Sequence, residues 1–185
     1  MGRSLANSRD ILLLETPFLT PSGAGADEIM AYVQSKYNLA LLALGSYIRA
    51  HSDMGVHLIN MVKDRISEDG LIERLRLTPP KVVGVPLYSY NLGYSYQIIS
   101  RIKRDFPDVH ICVGGPHVGM FPKETAQLPN VDSMVIGDGE EPFLQICRQV
   151  LERGELDESN LPPGTTTKAS LAATGVAKAW SAPDL

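Results

Sequence analysis

The chain has 185 residues, 44% of them hydrophobic and 21% charged, with a formal net charge of −4. That length suffices for one buried domain with an appendage and hardly for two. The mild acidity and the lack of any Lys/Arg cluster argue against nucleic acid or an anionic membrane surface as main partner. The longest apolar stretch, "LALLALGSYI", falls short of the roughly 20 residues a membrane span needs. Glu15 and Pro17 break the first apolar run too early for a signal peptide, so a cytoplasmic protein is expected.

In chain order, five apolar runs read as strands: "DILLLETP" (10–17), "VHLINMV" (56–62), "KVVGVPLYS" (81–89), "VHICVGG" (109–115) and "DSMVIGDG" (132–139). Several are apolar at successive positions, the pattern of a strand covered on both faces. The segments between them read as helices. "NLALLALGSYIRAH" has helical apolar spacing, and "SEDGLIERLRL" begins with residues suited to a cap and to the macrodipole. "GYSYQIISRIKRDFP" stops at Pro107, and "EEPFLQICRQVLERG" starts acidic and ends on glycine. "FPKETAQLPN" leaves room for only a short helix. Strand alternating with helix predicts an α/β fold, a doubly wound five-stranded parallel sheet of flavodoxin-like order 2-1-3-4-5. Residues 155–185 change character. Two β-prone pieces, "GTTTKAS" and "TGVAKAW", predict a linker or hairpin after a domain ending at Gly154. Cys112 and Cys147 have no ligand-type spacing and read as small core residues.

Ligands of open α/β sheets bind outside the carboxyl ends of the strands. There the first, third, fourth and fifth strands run into "ETPFLTPSGAG", "PLYSYNLG", "GGPHVGMFP" and "GDGEE". Each loop alone has an ordinary structural reading, such as a tight turn at Gly114-Gly115 or a helix start at Gly137-Asp138-Gly139-Glu140. Four on one edge point to a site. Of the four histidines, only His117 falls at that edge; His51 ends a helix, His57 lies in a strand and His110 begins one.

These segments resemble the cobalamin-binding domain at the front of cobalamin-dependent radical S-adenosylmethionine enzymes. The likeness runs from "ILLLETP" and "LALLALGSYIRAHSDMGVHLI" through "KVVGVPLYS" and "CVGGPHVGMFP" to "VDSMVIGDGEEPF", covering residues 10 to about 153. It implies a corrin over the carboxyl edge with its nucleotide tail beside the sheet. By resemblance the contacts would be Glu15, Thr16 and Pro17 after the first strand and Leu87, Tyr88 and Ser89 after the third. Gly114, Gly115, Pro116 and His117 would follow the fourth, and Gly137, Asp138, Gly139 and Glu140 the fifth. The Asp-x-His-x-x-Gly motif that ligates cobalt in some cobalamin proteins is absent, which implies base-off binding without that histidine. Pro86 stands where many cobalamin folds have serine. The Cys-x-x-x-Cys-x-x-Cys set that would hold a [4Fe–4S] cluster is also absent, so the radical step and S-adenosylmethionine would belong to a C-terminal domain of a parent enzyme. "AWSAPDL" resembles the linker before it. The parent would act on a small molecule, by methyl transfer or by oxidative cyclisation as in the tetrapyrrole-forming branch, the anaerobic magnesium-protoporphyrin monomethyl ester cyclases.

Two alternatives stay open. A flavin domain could cradle phosphate with Thr16, Thr20, Ser22, Gly23 and Gly25, and a scaffold could have kept the fold and lost the cofactor. A phospho-receiver fails: the third strand ends in Pro-Leu-Tyr, without a phosphorylatable aspartate.

Overall fold

A computed structural model describes residues 10–17, 36 and 38–183. Strand β1 is Ile11–Glu15, and helix α1, Leu39–His51, begins where the Asn38 side chain accepts the Ala40 N–H. Strand β2, Val56–Asn60, leads to α2, Glu68–Leu77, which Ser67 caps and two acidic residues open. Strand β3, Val82–Pro86, and α3, Leu92–Asp105, follow, then β4, His110–Gly114. Two helical turns, α4 (Pro116–Met120) and α5 (Pro122–Thr125), fill the short connection to β5, Ser133–Val135. Helix α6, Glu140–Arg153, stops at Gly154, whose φ of 85° closes the last turn.

The sheet order is β2-β1-β3-β4-β5 with all these neighbours parallel, as the alternating pattern predicts. A sixth strand, β6 (Thr165–Thr166), adds antiparallel to β5. Of the two expectations for the C-terminal segment, linker or hairpin, the two β-prone pieces do not pair as a hairpin. Only two threonines extend, because the edge of β5 gives them a partner. Thr167 then caps a helix, α7 (Lys168–Thr174), through a reciprocal box with Ser170. That cap and the alanine-rich run outweigh the β preference of threonine.

The sheet is covered on both faces, which is why its strands read as unbroken apolar runs. Toward α2 and α3 it turns Leu12, Leu14, Val83, Val85, Ile111 and Val113. Toward α1 and α6 it turns Ile11, Leu13, Val82 and Cys112, which meet Leu41, Ile48, Phe143 and Ile146. Among the described residues no helix is long and apolar enough to cross a membrane.

Candidate cofactor groove at the carboxyl edge

Strand alternation puts Gly84 and Pro86 of β3 on the α1/α6 face, and the register sets Gly84 beside Cys112 and Pro86 beside Gly114. Two adjacent strands thus present two glycines, a proline and a cysteine in one lane. With little bulk there, the sheet and the covering helices leave a cavity of about 300 Å³, at the lower end for small-molecule pockets. Ala40, Leu41 and Leu44 of α1 form one wall; Gly139, Glu140 and Phe143 at the start of α6 form the other, and Tyr88, Gly115 and Pro116 stand at the mouth. The floor is Gly84 and Cys112, and the lining is mainly apolar. The Phe143 ring lies so close over Gly84 that a Cβ there would sit 2.8 Å from Cζ.

Polar contacts link the two helices that form the walls. The Tyr47 hydroxyl of α1 donates to the Glu141 carboxylate of α6 at 2.8 Å, and Arg148 donates to the His51 carbonyl. Hydrogen bonds from Gln145 and Tyr47 hold the Glu141 carboxyl below its ordinary range. At the mouth, Asn38 Nδ2 donates to the Tyr88 hydroxyl at 2.8 Å, and Tyr88 stacks on Tyr90 with ring centroids 5.2 Å apart. Burial and its phenolic and carboxylate neighbours, Tyr88 and Glu15, push the Tyr90 hydroxyl up to about 12.

Of the residues singled out from the sequence, Tyr88, Gly114, Gly115, Pro116, Gly137, Gly139 and Glu140 line the groove. Glu15, Thr16, Pro17, Leu87, Ser89, His117 and Asp138 do not, and most of them brace the loops around it. Leu87 is fully buried on the opposite face, but its N–H donates to the Gly114 carbonyl and its carbonyl accepts the His117 N–H. Thr16 is buried and hydrogen-bonded to Ser95 at 2.6 Å, with Asn91 donating to it as well. Glu15 accepts from Asn60, and burial raises its carboxyl against the lowering effect of bonds from Asn38 and Asn60. Pro17 is half-buried beyond it. Ser89 is exposed and hydrogen-bonded to His117 Nδ1 at 3.0 Å. The His117 ring is 4% exposed, tilted against Phe121, and its Nε2 has no hydrogen-bond partner among the described residues.

The four bare positions of the edge divide into two kinds. A Cβ at Gly114 or Gly139 would stand in ordinary van der Waals contact, with its nearest neighbour at 3.7 or 3.8 Å, so neither position requires glycine on steric grounds. Gly115 (φ 95°) and Gly137 (φ 94°) lie against backbone instead, with an added Cβ 3.1 Å from the Leu87 carbonyl oxygen and 1.9 Å from that of Trp180. Chain geometry alone therefore demands glycine at 115 and 137.

Sequence reading missed Gly84, Phe143, Leu44 and Asn38. A glycine inside the strand "VVGVP" is itself a signal of close approach. The helix residues carry no such signal, because an apolar side chain facing a groove has the same spacing as one facing a core.

A doubly wound sheet with an apolar slot at its carboxyl edge defines a Rossmann-like domain, with the slot where such sheets bind ligands. The chain belongs to the B12 binding domain family, whose description matches residues 31–146. It is 25% identical over 108 residues to the anaerobic magnesium-protoporphyrin IX monomethyl ester cyclase of Rubrivivax gelatinosus, covering 58% of this chain and 20% of that protein. It is 28% identical over 80 residues to the cytidylyl-2-hydroxyethylphosphonate methyltransferase of Streptomyces wedmorensis, covering 43% and 15%. Among solved structures, it resembles the cobalamin-dependent S-adenosylmethionine radical enzyme OxsB with aqua-cobalamin and S-adenosylmethionine bound (TM-score 0.70, 17% identity, 96% of this chain and 23% of that one). It also resembles the radical S-adenosylmethionine methyltransferase TsrM of Kitasatospora setae with cobalamin and a [4Fe–4S] cluster bound (TM-score 0.60, 21% identity, 86% and 27%). These likenesses establish the fold. The chain spans about a fifth of the length of the curated relatives it matches.

The groove fits the group that this family implies. It is mainly apolar with room for a side chain's first atom at Gly114 and Gly139, and His117 Nε2 in the neighbouring loop has no partner among the described residues. The flavin alternative gains nothing: Thr16 is spent on Ser95 and Asn91, and Thr20, Ser22, Gly23 and Gly25 lie outside the described residues. Among the described residues no three His, Cys, Asp or Glu side chains converge to hold a metal.

Proposed function

We propose that this chain binds cobalamin as the front domain of a radical S-adenosylmethionine enzyme. The corrin covers the carboxyl edge and the nucleotide tail enters the groove between the sheet and helices α1 and α6. Binding is base-off and uses no histidine after β1, since no histidine stands anywhere among the first 50 residues. The observation that carries this reading is the lane Gly84–Pro86–Cys112–Gly114, which clears a slot on one face of an otherwise filled sheet.

Each part of the chain has a task under this reading. Gly114 and Gly139 leave room for the tail. Asn38 and Tyr88 join α1 to the β3 loop at the mouth, and Glu140 borders it. Ser89 hydrogen-bonds the buried His117 ring and so braces the loop at the rim. Bound cobalamin would supply a methyl carrier or redox partner, while the protein fixes its position. Residues 1–154 form the binding unit, and 155–185, which add β6 and α7 to it, lead toward a radical domain.

That further domain supplies the [4Fe–4S] cluster and the S-adenosylmethionine site, because Cys112 and Cys147 are both buried and cannot furnish three thiolates. The parent acts on a small molecule, by methyl transfer or oxidative cyclisation. A cytoplasmic location agrees with two reduced cysteines.

The test is direct. Purified protein is mixed anaerobically with hydroxocobalamin, desalted, and its visible spectrum recorded beside a parallel trial with FMN. A retained base-off spectrum is expected. Retention of FMN alone, or of neither by folded protein, would refute the proposal.

A further inference from the structure

Gly137 is glycine for a reason that no ligand explains. The chain returns 43 residues later and lays the backbone of Trp180 against it as an isolated parallel bridge. Trp180 N–H donates to the Ile136 carbonyl, and its own carbonyl accepts the Asp138 N–H, both at 2.9 Å. Two residues on, the Ala182 N–H donates to the Asp138 carboxylate at 2.9 Å. On the other side Gly164 (φ 70°) gives its carbonyl to the Ile136 N–H, and a Cβ there would sit 2.7 Å from Trp180 Cβ. Two left-handed glycines, 27 residues apart in sequence, thus form the seat for one tryptophan backbone.

The seated segment holds Ile136–Asp138, and the next two residues, Gly139 and Glu140, are the wall of the groove. The geometry points to the main chain of the segment around Trp180, and not to the indole, as the element that positions the groove. Residues 176–183 act as a strap whose main-chain pairing fixes the Gly137–Glu140 wall, so that strap seating and groove occupancy are coupled. None of the strap's residues lines the groove, so it acts only through that wall. The coupling is reciprocal: whatever draws the strap off weakens binding, and a bound guest tightens the strap. A domain joined beyond the strap would act on the groove by this route. This inference rests on the cobalamin reading.

Four proteins separate the two claims: the full chain, the chain ended after Gly175, Gly164→Ala, and Trp180→Ala. Each is titrated anaerobically with hydroxocobalamin and melted by circular dichroism. The shortened chain and Gly164→Ala are expected to bind about tenfold more weakly, in the range of ordinary site-to-site coupling. Trp180→Ala keeps the main-chain pairing and is expected to stay within about twofold of the full chain. Trp180 is the sole tryptophan, so acrylamide quenching reads its seating directly. Hydroxocobalamin should lower its accessibility in the full chain and less so in Gly164→Ala. If the shortened chain unfolds, Gly164→Ala decides alone. Unchanged affinity in a folded variant with a displaced strap overturns the inference and leaves the cobalamin reading standing. A full chain that holds no hydroxocobalamin overturns both.

Discussion

β3 and β4 present different chemistry to the two sides of one sheet. Toward α2 and α3 they turn Val83, Val85, Ile111 and Val113, all 2% exposed or less. Toward α1 and α6 the same strands turn Gly84, Pro86, Cys112 and Gly114. The first face is packed solid with branched side chains; the second keeps a cavity because its bulk has been removed. The difference teaches that the groove is made by subtraction, and that it survives because the opposite face holds the strands rigidly in place. Interiors close over small voids unless the frame around them is stiff.

Truncating the solid face should have the largest effect on folding. Ile111→Ala removes a fully buried side chain and is expected to cost about 2–5 kcal/mol, measured by urea or thermal unfolding. Filling the open face comes next. Gly84→Val puts a branched side chain where even a Cβ is 2.8 Å from Phe143, with an expected cost of about 1–3 kcal/mol and loss of hydroxocobalamin from the desalted protein. Should Gly84→Val stabilise the chain and keep the cofactor, the two faces would not differ as described.

The third test titrates the amino end of the same lane. His110 is buried against Ser133 at 2.8 Å, and burial lowers its imidazole from 6.5 to about 4, with Asp132 opposing and Lys103 adding to the shift. The unfolded chain therefore takes up this proton first. Stability is full above pH 6.5 and falls as pH drops toward 4, with about 1 kcal/mol lost between pH 6.5 and 5.5. Unfolding curves of the wild type and of His110→Gln check this; the variant should lose that limb. A wild-type curve flat over the same interval would put His110 in contact with water.

Much of this was legible along the chain because the signals are local. Strands covered on both faces read as apolar runs, and Ser67 and Gly154 mark helix ends through their own neighbours. The lane was not legible as a lane. Gly84 and Cys112 become neighbours only through the register of two strands separated by a helix. Gly137 shows the same limit more sharply. Its requirement comes from Trp180, so beside "GDGE" it reads as space for a ligand. The helix at 168–174 is not legible in the threonines themselves, whose preference is for extended structure; it depends on the cap that Thr167 and Ser170 form.

Gly114 gives the smallest expected effect on folding and the most informative one on binding. Unlike Gly115 and Gly137 it has no positive φ, and the nearest atom to an added Cβ is the Val135 carbonyl oxygen at 3.7 Å. A side chain placed there points into the groove and strains nothing in the chain. Gly114→Leu should therefore unfold within about 0.5 kcal/mol of the wild type, the range of substitutions that touch no packed feature. The leucine would nonetheless occupy the slot where the tail must pass, and hydroxocobalamin should be lost on desalting. Cobinamide, which lacks the nucleotide, should bind both proteins alike. Equal loss of cobinamide would mean that Gly114 lies under the ring and not beside the tail, and equal retention of hydroxocobalamin would mean that the groove is not the tail's path.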